Sequence, residues 1–254
     1  ECPDKNILII TYNKLLQKDV KTKSEQLGVT NVDIHTIHAY ASKLYNYTIY
    51  NDELLKDAVE NNKPFAKSSY DIIMIDEVQD LNELMYMFTM VTILNNSPFP
   101  QIILTGDELQ CINGYNGSKI AFIQNVEDFY NFNNIKWSHL TLTETFRIPM
   151  KIAQFIDDIV KTRKHISRIK DTISNSVEYW VTDKGNNPKF ITLMQNLLEK
   201  YGKDNIVGIS TTTDKNTIFK DMTSKLCTLG INILHTGDGK DVKSSSKLLK
   251  NKLL

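Results

Sequence analysis

Ile72-Ile73-Met74-Ile75-Asp76-Glu77-Val78-Gln79-Asp80 is the stretch that decides the fold. Its first four residues are apolar without alternation, which reads as a strand buried on both faces, the ordinary state of a central parallel strand. Two adjacent carboxylates follow at its C-terminal end, where open α/β sheets bind their ligands. That pair has two readings. It can serve nucleotide hydrolysis, with Asp76 holding Mg²⁺ and Glu77 polarising the attacking water. It can equally be the acidic first turn of a helix, since carboxylates favour helix N-termini.

A second apolar run, residues 101–105, leads into Gly106-Asp107-Glu108-Leu109-Gln110 and tips the balance toward a nucleotide site. Gly106 permits a tight turn. Gln110 projects a neutral amide toward the same sheet edge, able to sense a γ-phosphate or orient a water without adding charge. Cys111-Ile112-Asn113-Gly114-Tyr115-Asn116-Gly117-Ser118 follows, a glycine-punctuated loop presenting one aromatic. Loops held by a rigid sheet commonly carry function.

These segments resemble the motifs of the UvrD/Rep-like superfamily 1 DNA helicases. Residues 76–80 look like motif II, and residues 106–118 look like motif III, of the form GDxxQxIxxxxGA. Leu142-Thr143-Glu144-Thr145-Phe146-Arg147 with Ile152-Ala153 is similar to motif IV. Residues 7–14, ending Thr11-Tyr12-Asn13-Lys14, are similar to motif Ia, and Thr36-Ile37-His38-Ala39-Tyr40 to motif Ib. Each motif is weak alone, but the five occur in family order. Their spellings sit nearer the F-box helicase branch than the bacterial repair enzymes.

The resemblance implies a RecA-like parallel sheet, ATP and Mg²⁺ as cofactors, and single-stranded DNA and duplex junctions as partners. It implies an ATP-dependent helicase moving 3′ to 5′, acting in DNA unwinding and repair inside the cell, in nucleus or cytoplasm. Asp76, Glu77, Gln110 and Arg147 take the catalytic positions, Asp76 being the metal ligand. Phe146, Gln110 and Arg147 take the ATP-binding positions. Asn13, Thr36, His38 and Tyr115 take the nucleic-acid positions. Asn113 and Asn116 replace an aromatic and an arginine common in the bacterial members, which weakens the expected DNA contact without moving it.

The phosphate-cradling G-x-x-x-x-G-K-[ST] loop does not occur; Gly239-Lys240 runs into Asp241. Nothing like the family's motifs V and VI follows motif IV. The expectation is an internal fragment of a helicase, inactive alone: a P-loop NTPase fold lacking its P-loop strand, followed by part of a second RecA-like domain. The alternative is a non-catalytic, helicase-like module that binds nucleic acid or protein.

At 254 residues the chain can hold one large or two modest cores. A net charge of +0 argues mildly against a dedicated nucleic-acid binder but not against a translocase that stacks on bases. Cys2, Cys111 and Cys227 lack paired or metal-type spacing, which favours a reducing compartment. No apolar run reaches a membrane span and no signal peptide is visible.

Strand and helix signals alternate. Strands are expected at 7–11, 32–35, 72–75, 101–105 and 139–142, with helices at 15–27, 38–44, 52–60, 82–94 and 118–124. A second unit begins after Pro149, with helices at 150–160, 190–201 and 214–229 and strands at 177–181, 205–210 and 231–235. The domain reading is therefore 1–147, a partial second domain at 148–239, and a lysine-rich linker or end at 240–254. Between the motif Ib helix and the motif II strand, residues 45–69 leave room for only a helix or two.

Each site residue also has a plainer role. Asn13 can simply cap a helix. His38 can be a satisfied core histidine, Tyr115 a packed loop tyrosine, and Phe146-Arg147 a core ring beside a surface ion pair. Gln79 and Asp80 read as braces for neighbouring loops. Lys161, Arg163, Lys164, Arg168 and Lys170 form either a solvated face or a phosphate track.

Overall fold

β-branched runs form the four strands of a single parallel sheet: β1 (Ile7–Thr11), β2 (Val32–Thr36), β3 (Ile72–Ile75) and β4 (Gln101–Leu104). The computed structural model describes residues 3–132, 135–161, 166–167 and 188–202. The strand order is β2-β1-β3-β4. From β1 the chain steps outward through α1 (Lys14–Gln26) to β2. It returns past β1 by way of α2 (Ile37–Tyr45) and α3 (Asp52–Asn61) to β3, then steps on through α4 (Glu83–Leu94) to β4. The order thus reverses between β1 and β3. The crevice outside their C-terminal ends is where such sheets take ligands.

The helices start on side-chain caps. Asn13, Thr36, Asn51 and Asn82 accept the backbone N–H of Leu16, Ala39, Leu54 and Met85 at 2.9, 3.3, 3.0 and 3.0 Å. Each such cap stabilises its helix by about 1 kcal/mol. Leu8, Ile10, Ile73 and Ile75 are buried in one core with Tyr40 of α2 and with Phe88 and Ile93 of α4. The segment between α2 and β3 supplies one helix, α3, which buries Leu55 and Ala58.

At the opposite edge of the sheet, Asp33 of β2 binds Lys43 of α2 and accepts the Tyr70 hydroxyl at 2.6 Å. Burial works to raise the Asp33 carboxyl, but the Lys43 and Tyr70 hydrogen bonds outweigh it and hold the group at about 2. A depressed carboxylate contributes stability above its unfolded value near 4, and that contribution is lost as pH falls toward 2. Asp33→Asn should therefore flatten the acid limb of thermal stability. Melting curves from pH 5 to pH 2 that stay parallel for the two proteins would show that the network adds nothing.

Beyond β4 two short helices, α5 (Ala121–Gln124) and α6 (Val126–Phe129), replace the one expected at 118–124. An aromatic cluster fixes them to α4. Tyr86 stacks on Phe122 with centroids 4.5 Å apart, and its hydroxyl donates to the Phe129 carbonyl at 2.5 Å.

The chain divides into two compact units, Glu1–Leu140 and Thr141–Leu254. In the second, β5 (Glu144–Thr145) pairs in parallel with β6 (Ile166–Ser167), and α7 (Met150–Val160) and α8 (Pro188–Tyr201) are helical. Pro149 occupies the N-cap of α7. Residues 139–142, expected as a strand, form none: Leu140 and Leu142 are 93% and 94% exposed. Alternating Leu and Thr gives strand propensity, but a strand exists only with a partner. Among the described residues pairing begins two positions later, at Glu144. The elements expected at 177–181, 205–210, 214–229 and 231–235, the tail at 240–254, and the basic residues Arg163, Lys164, Arg168 and Lys170 lie outside the described residues.

Candidate functional site

Asp76 and Glu77 leave β3 at the point where the strand order reverses. The Asp76 N–H donates to the Ile10 carbonyl of β1 at 2.9 Å, which holds the carboxylate at the crevice. Asp76 Oδ1 accepts the Thr105 hydroxyl at 2.5 Å and the Glu77 N–H at 3.0 Å. Its Oδ2 has no hydrogen-bond partner among the described residues. One oxygen fixed and one open fits a hydrated Mg²⁺, which proteins hold through one or two carboxylates while phosphates and waters complete the shell. Among the described residues no cluster of three or more His, Cys, Asp or Glu side chains offers an all-protein metal cage.

Glu77 adopts a left-handed backbone, φ 57° and ψ 46°. That conformation is uncommon for a residue with a side chain and concentrates at functional sites. The 3-10 turn Val78–Asp80 follows at once. Gln79 is buried, and its Nε2 donates to Glu77 Oε2 at 2.6 Å, leaving Glu77 Oε1 without a partner among the described residues. Glu77 can therefore take a proton from a water through one oxygen while the other is held.

The loop after β4 is tied to this turn along its length. Val78 N–H donates to the Thr105 carbonyl at 3.0 Å, and Asp107 N–H to Gln79 Oε1 at 3.1 Å. The Cys111 thiol donates to the Gln79 carbonyl at 3.3 Å, Asn113 Nδ2 to Asp80 Oδ1 at 2.8 Å, and the Ser118 hydroxyl to the Asp80 carbonyl at 2.8 Å. Gly106 makes the approach possible, because a Cβ there would lie 2.4 Å from Gln79 Oε1. Gln79 and Asp80 are thus the braces that their sequence context indicated. Gln110 is exposed and donates to Asp107 Oδ2 at 2.9 Å; it makes no hydrogen bond to Asp76 or Glu77.

Tyr115 stands at the tip of this loop, 82% exposed, in the 3-10 turn Gly114–Asn116. Tyr12, directly after β1, is a residue that sequence reasoning passed over. Burial raises its hydroxyl pKa, and the charges of Asp80, Tyr115 and Asp52 raise it further. Asp52 Oδ1 in turn accepts from His38 Nε2 at 2.9 Å. Asn13 follows Tyr12 directly in the chain and its side chain caps α1. Thr36 is not on the surface. It is buried, with its hydroxyl capping the helix that carries His38.

Phe146 and Arg147 belong to the second unit and are both exposed. The Arg147 N–H donates to Thr145 Oγ1 at 3.3 Å, and among the described residues no carboxylate pairs with its guanidinium.

Two similarities to known proteins bear on the fold around this site. Residues 45–131 match the UvrD/REP helicase N-terminal domain. That stretch, about a third of the chain, is similar to the UvrD-like helicases. The match takes in Asp76, Glu77, Gln79, Gln110 and Tyr115, whereas Asn13, Thr36, His38, Phe146 and Arg147 lie outside it. Over 164 residues the chain is 27% identical to the F-box DNA helicase protein 1 of Schizosaccharomyces pombe (strain 972 / ATCC 24843). That similarity covers 61% of this chain and only 17% of the relative's length. Among the described residues no helix is long and apolar enough to cross a membrane.

Proposed function

We propose that this chain forms the ATP-handling and strand-gripping core of an ATP-dependent DNA helicase that acts inside the cell. In this reading residues 1–147 are a first RecA-like domain, 148–239 part of a second, and 240–254 a lysine-rich linker or end. Asp76 carries Mg²⁺, which supplies charge neutralisation on the phosphates of ATP. Glu77 takes a proton from the attacking water, Gln110 senses the γ-phosphate, Phe146 packs on the nucleotide and Arg147 meets phosphoryl charge. Single-stranded DNA runs over Asn13, His38 and Tyr115, with Thr36 setting the start of the helix beneath His38. Translocation is 3′ to 5′, toward duplex junctions.

One observation carries the reading: the Asp76–Glu77 pair sits at the β1/β3 reversal, hydrogen-bonded to the same loop that exposes Tyr115. Tyr115→Ala should weaken binding of a fluorescent single-stranded oligonucleotide by about 1–3 kcal/mol, the worth of one base–aromatic stack. Anisotropy titrations that superimpose for the two proteins would assign Tyr115 to the surface and take the strand elsewhere. The 254 residues by themselves contain no Gly-Lys-Ser/Thr phosphate cradle. They should therefore show no helicase-like turnover, because β- and γ-phosphate charge stays uncompensated.

A further inference from the structure

Gln79 is buried to 1% exposure and has its two amide ends on two different functional parts. Its Nε2 reaches Glu77 Oε2 at 2.6 Å, and its Oε1 receives the Asp107 N–H at 3.1 Å. A buried amide used at both ends has little freedom to reorient without losing a bond, and an unmet buried polar group costs heavily. Asp107 opens the loop that ends at Tyr115, and its carboxylate also takes Leu109 N–H at 3.0 Å and Gln110 Nε2 at 2.9 Å. The path from the loop to the Glu77 carboxylate is therefore continuous and short. Glu77 itself stands on a left-handed backbone with few other side-chain restraints.

We infer that Gln79 is a positioning residue that sets the Glu77 carboxylate according to the position of the 105–118 loop. A strand pressing on Tyr115 shifts the loop, the Asp107 N–H carries the shift to the Gln79 amide, and the amide re-aims Glu77 toward the water. Gln79 touches neither strand nor nucleotide. Its effect is on turnover with strand bound, not on affinity for either ligand. This inference rests on the reading of Glu77 as the general base.

Two variants reach the link from opposite sides. Gln79→Met keeps the length of the side chain and removes the amide. Gly106→Ala keeps Gln79 but places a methyl 2.4 Å from its Oε1 and 2.8 Å from Ile123 Cδ1, so the amide must shift. In the full-length gene product, both should lower the single-strand-stimulated kcat by about 10–100-fold, since misplacement of a reacting group by 1 Å costs about that much. The ATP KM and the oligonucleotide Kd should stay within about twofold of wild type. Unchanged stimulated kcat in the folded variants overturns the inference, and so does a fall matched by an equal loss of oligonucleotide affinity.

Hydrogen exchange on the 254-residue chain separates this inference from the helicase reading. Gln79→Met should speed exchange of the Asp107 amide by about tenfold beyond any change at amides that Gln79 does not touch. An unaltered Asp107 rate overturns the link whatever the enzyme does. Should wild type show no strand-stimulated ATPase while Asp107 exchange responds as expected, the helicase reading falls and Gln79 is left as a loop brace, which also overturns its role in hydrolysis.

Discussion

Arg147→Lys should lower DNA-stimulated ATP turnover of the full-length gene product by about 10³-fold while ATP still binds. An arginine that meets phosphoryl charge in the transition state is worth about 10³–10⁵-fold in rate. Lysine keeps the charge but not the planar fork that matches two phosphate oxygens, so it recovers little. The local structure gives the exchange no reason to disturb folding. The side chain is exposed, and the hydrogen bond from Arg147 to Thr145 is made by the backbone N–H. Stopped turnover with an unchanged melting temperature is the expected pair of results. A lowered melting temperature with turnover intact would make Arg147 a structural residue and remove it from the site.

Glu77→Gln is expected to cost about 10²–10⁴-fold in turnover, the usual worth of a general base. The amide oxygen of glutamine can still accept from Gln79 Nε2, so the turn at Val78–Asp80 keeps its bond. Asp76 keeps both its Thr105 contact and its open oxygen, so Mg²⁺ and ATP should bind as before. A variant that binds ATP without hydrolysing it is the signature of a lost base. Near-normal ATPase would move the base to another residue.

The sheet was legible because β1, β3 and β4 are largely apolar runs, β2 alternates apolar with polar residues, and the helices between the strands begin at Asn or Thr. Both signals are local. The carboxylate pair was legible for the same reason, being two adjacent residues at a strand end. What distant parts of the chain make was less legible: Gln79 and Asp80 read as loop braces, but their partners did not. Gln79 meets Asp107 across 28 positions, and Gly106 matters because of where the Gln79 amide lies rather than because of a turn alone. Tyr12 stands out only because burial and the charges of Asp80, Tyr115 and Asp52, all distant in sequence, raise its hydroxyl pKa. Thr36 read only as part of a motif in sequence; in the structure it is buried and its hydroxyl caps α2. The run at 139–142 failed differently: its alternation promised a strand, and pairing started at Glu144 instead.

The same geometry bears on the choice between an enzyme and a silent binding module. A scaffold that only gripped nucleic acid would need Tyr115 and its loop, but not a carboxylate with one oxygen held and one open. Nor would it need a left-handed glutamate steadied by a buried amide. In the proposed reading these features serve chemistry at the β1/β3 reversal, and a binding module gives them no use.

Steady-state ATP hydrolysis by the full-length gene product, measured with and without single-stranded DNA, tests the central claim most directly. The account predicts Mg²⁺-dependent hydrolysis that rises when the strand is added and collapses in Glu77→Gln. Tight binding of single-stranded DNA with no hydrolysis in either condition would contradict it and leave a helicase-like binding module.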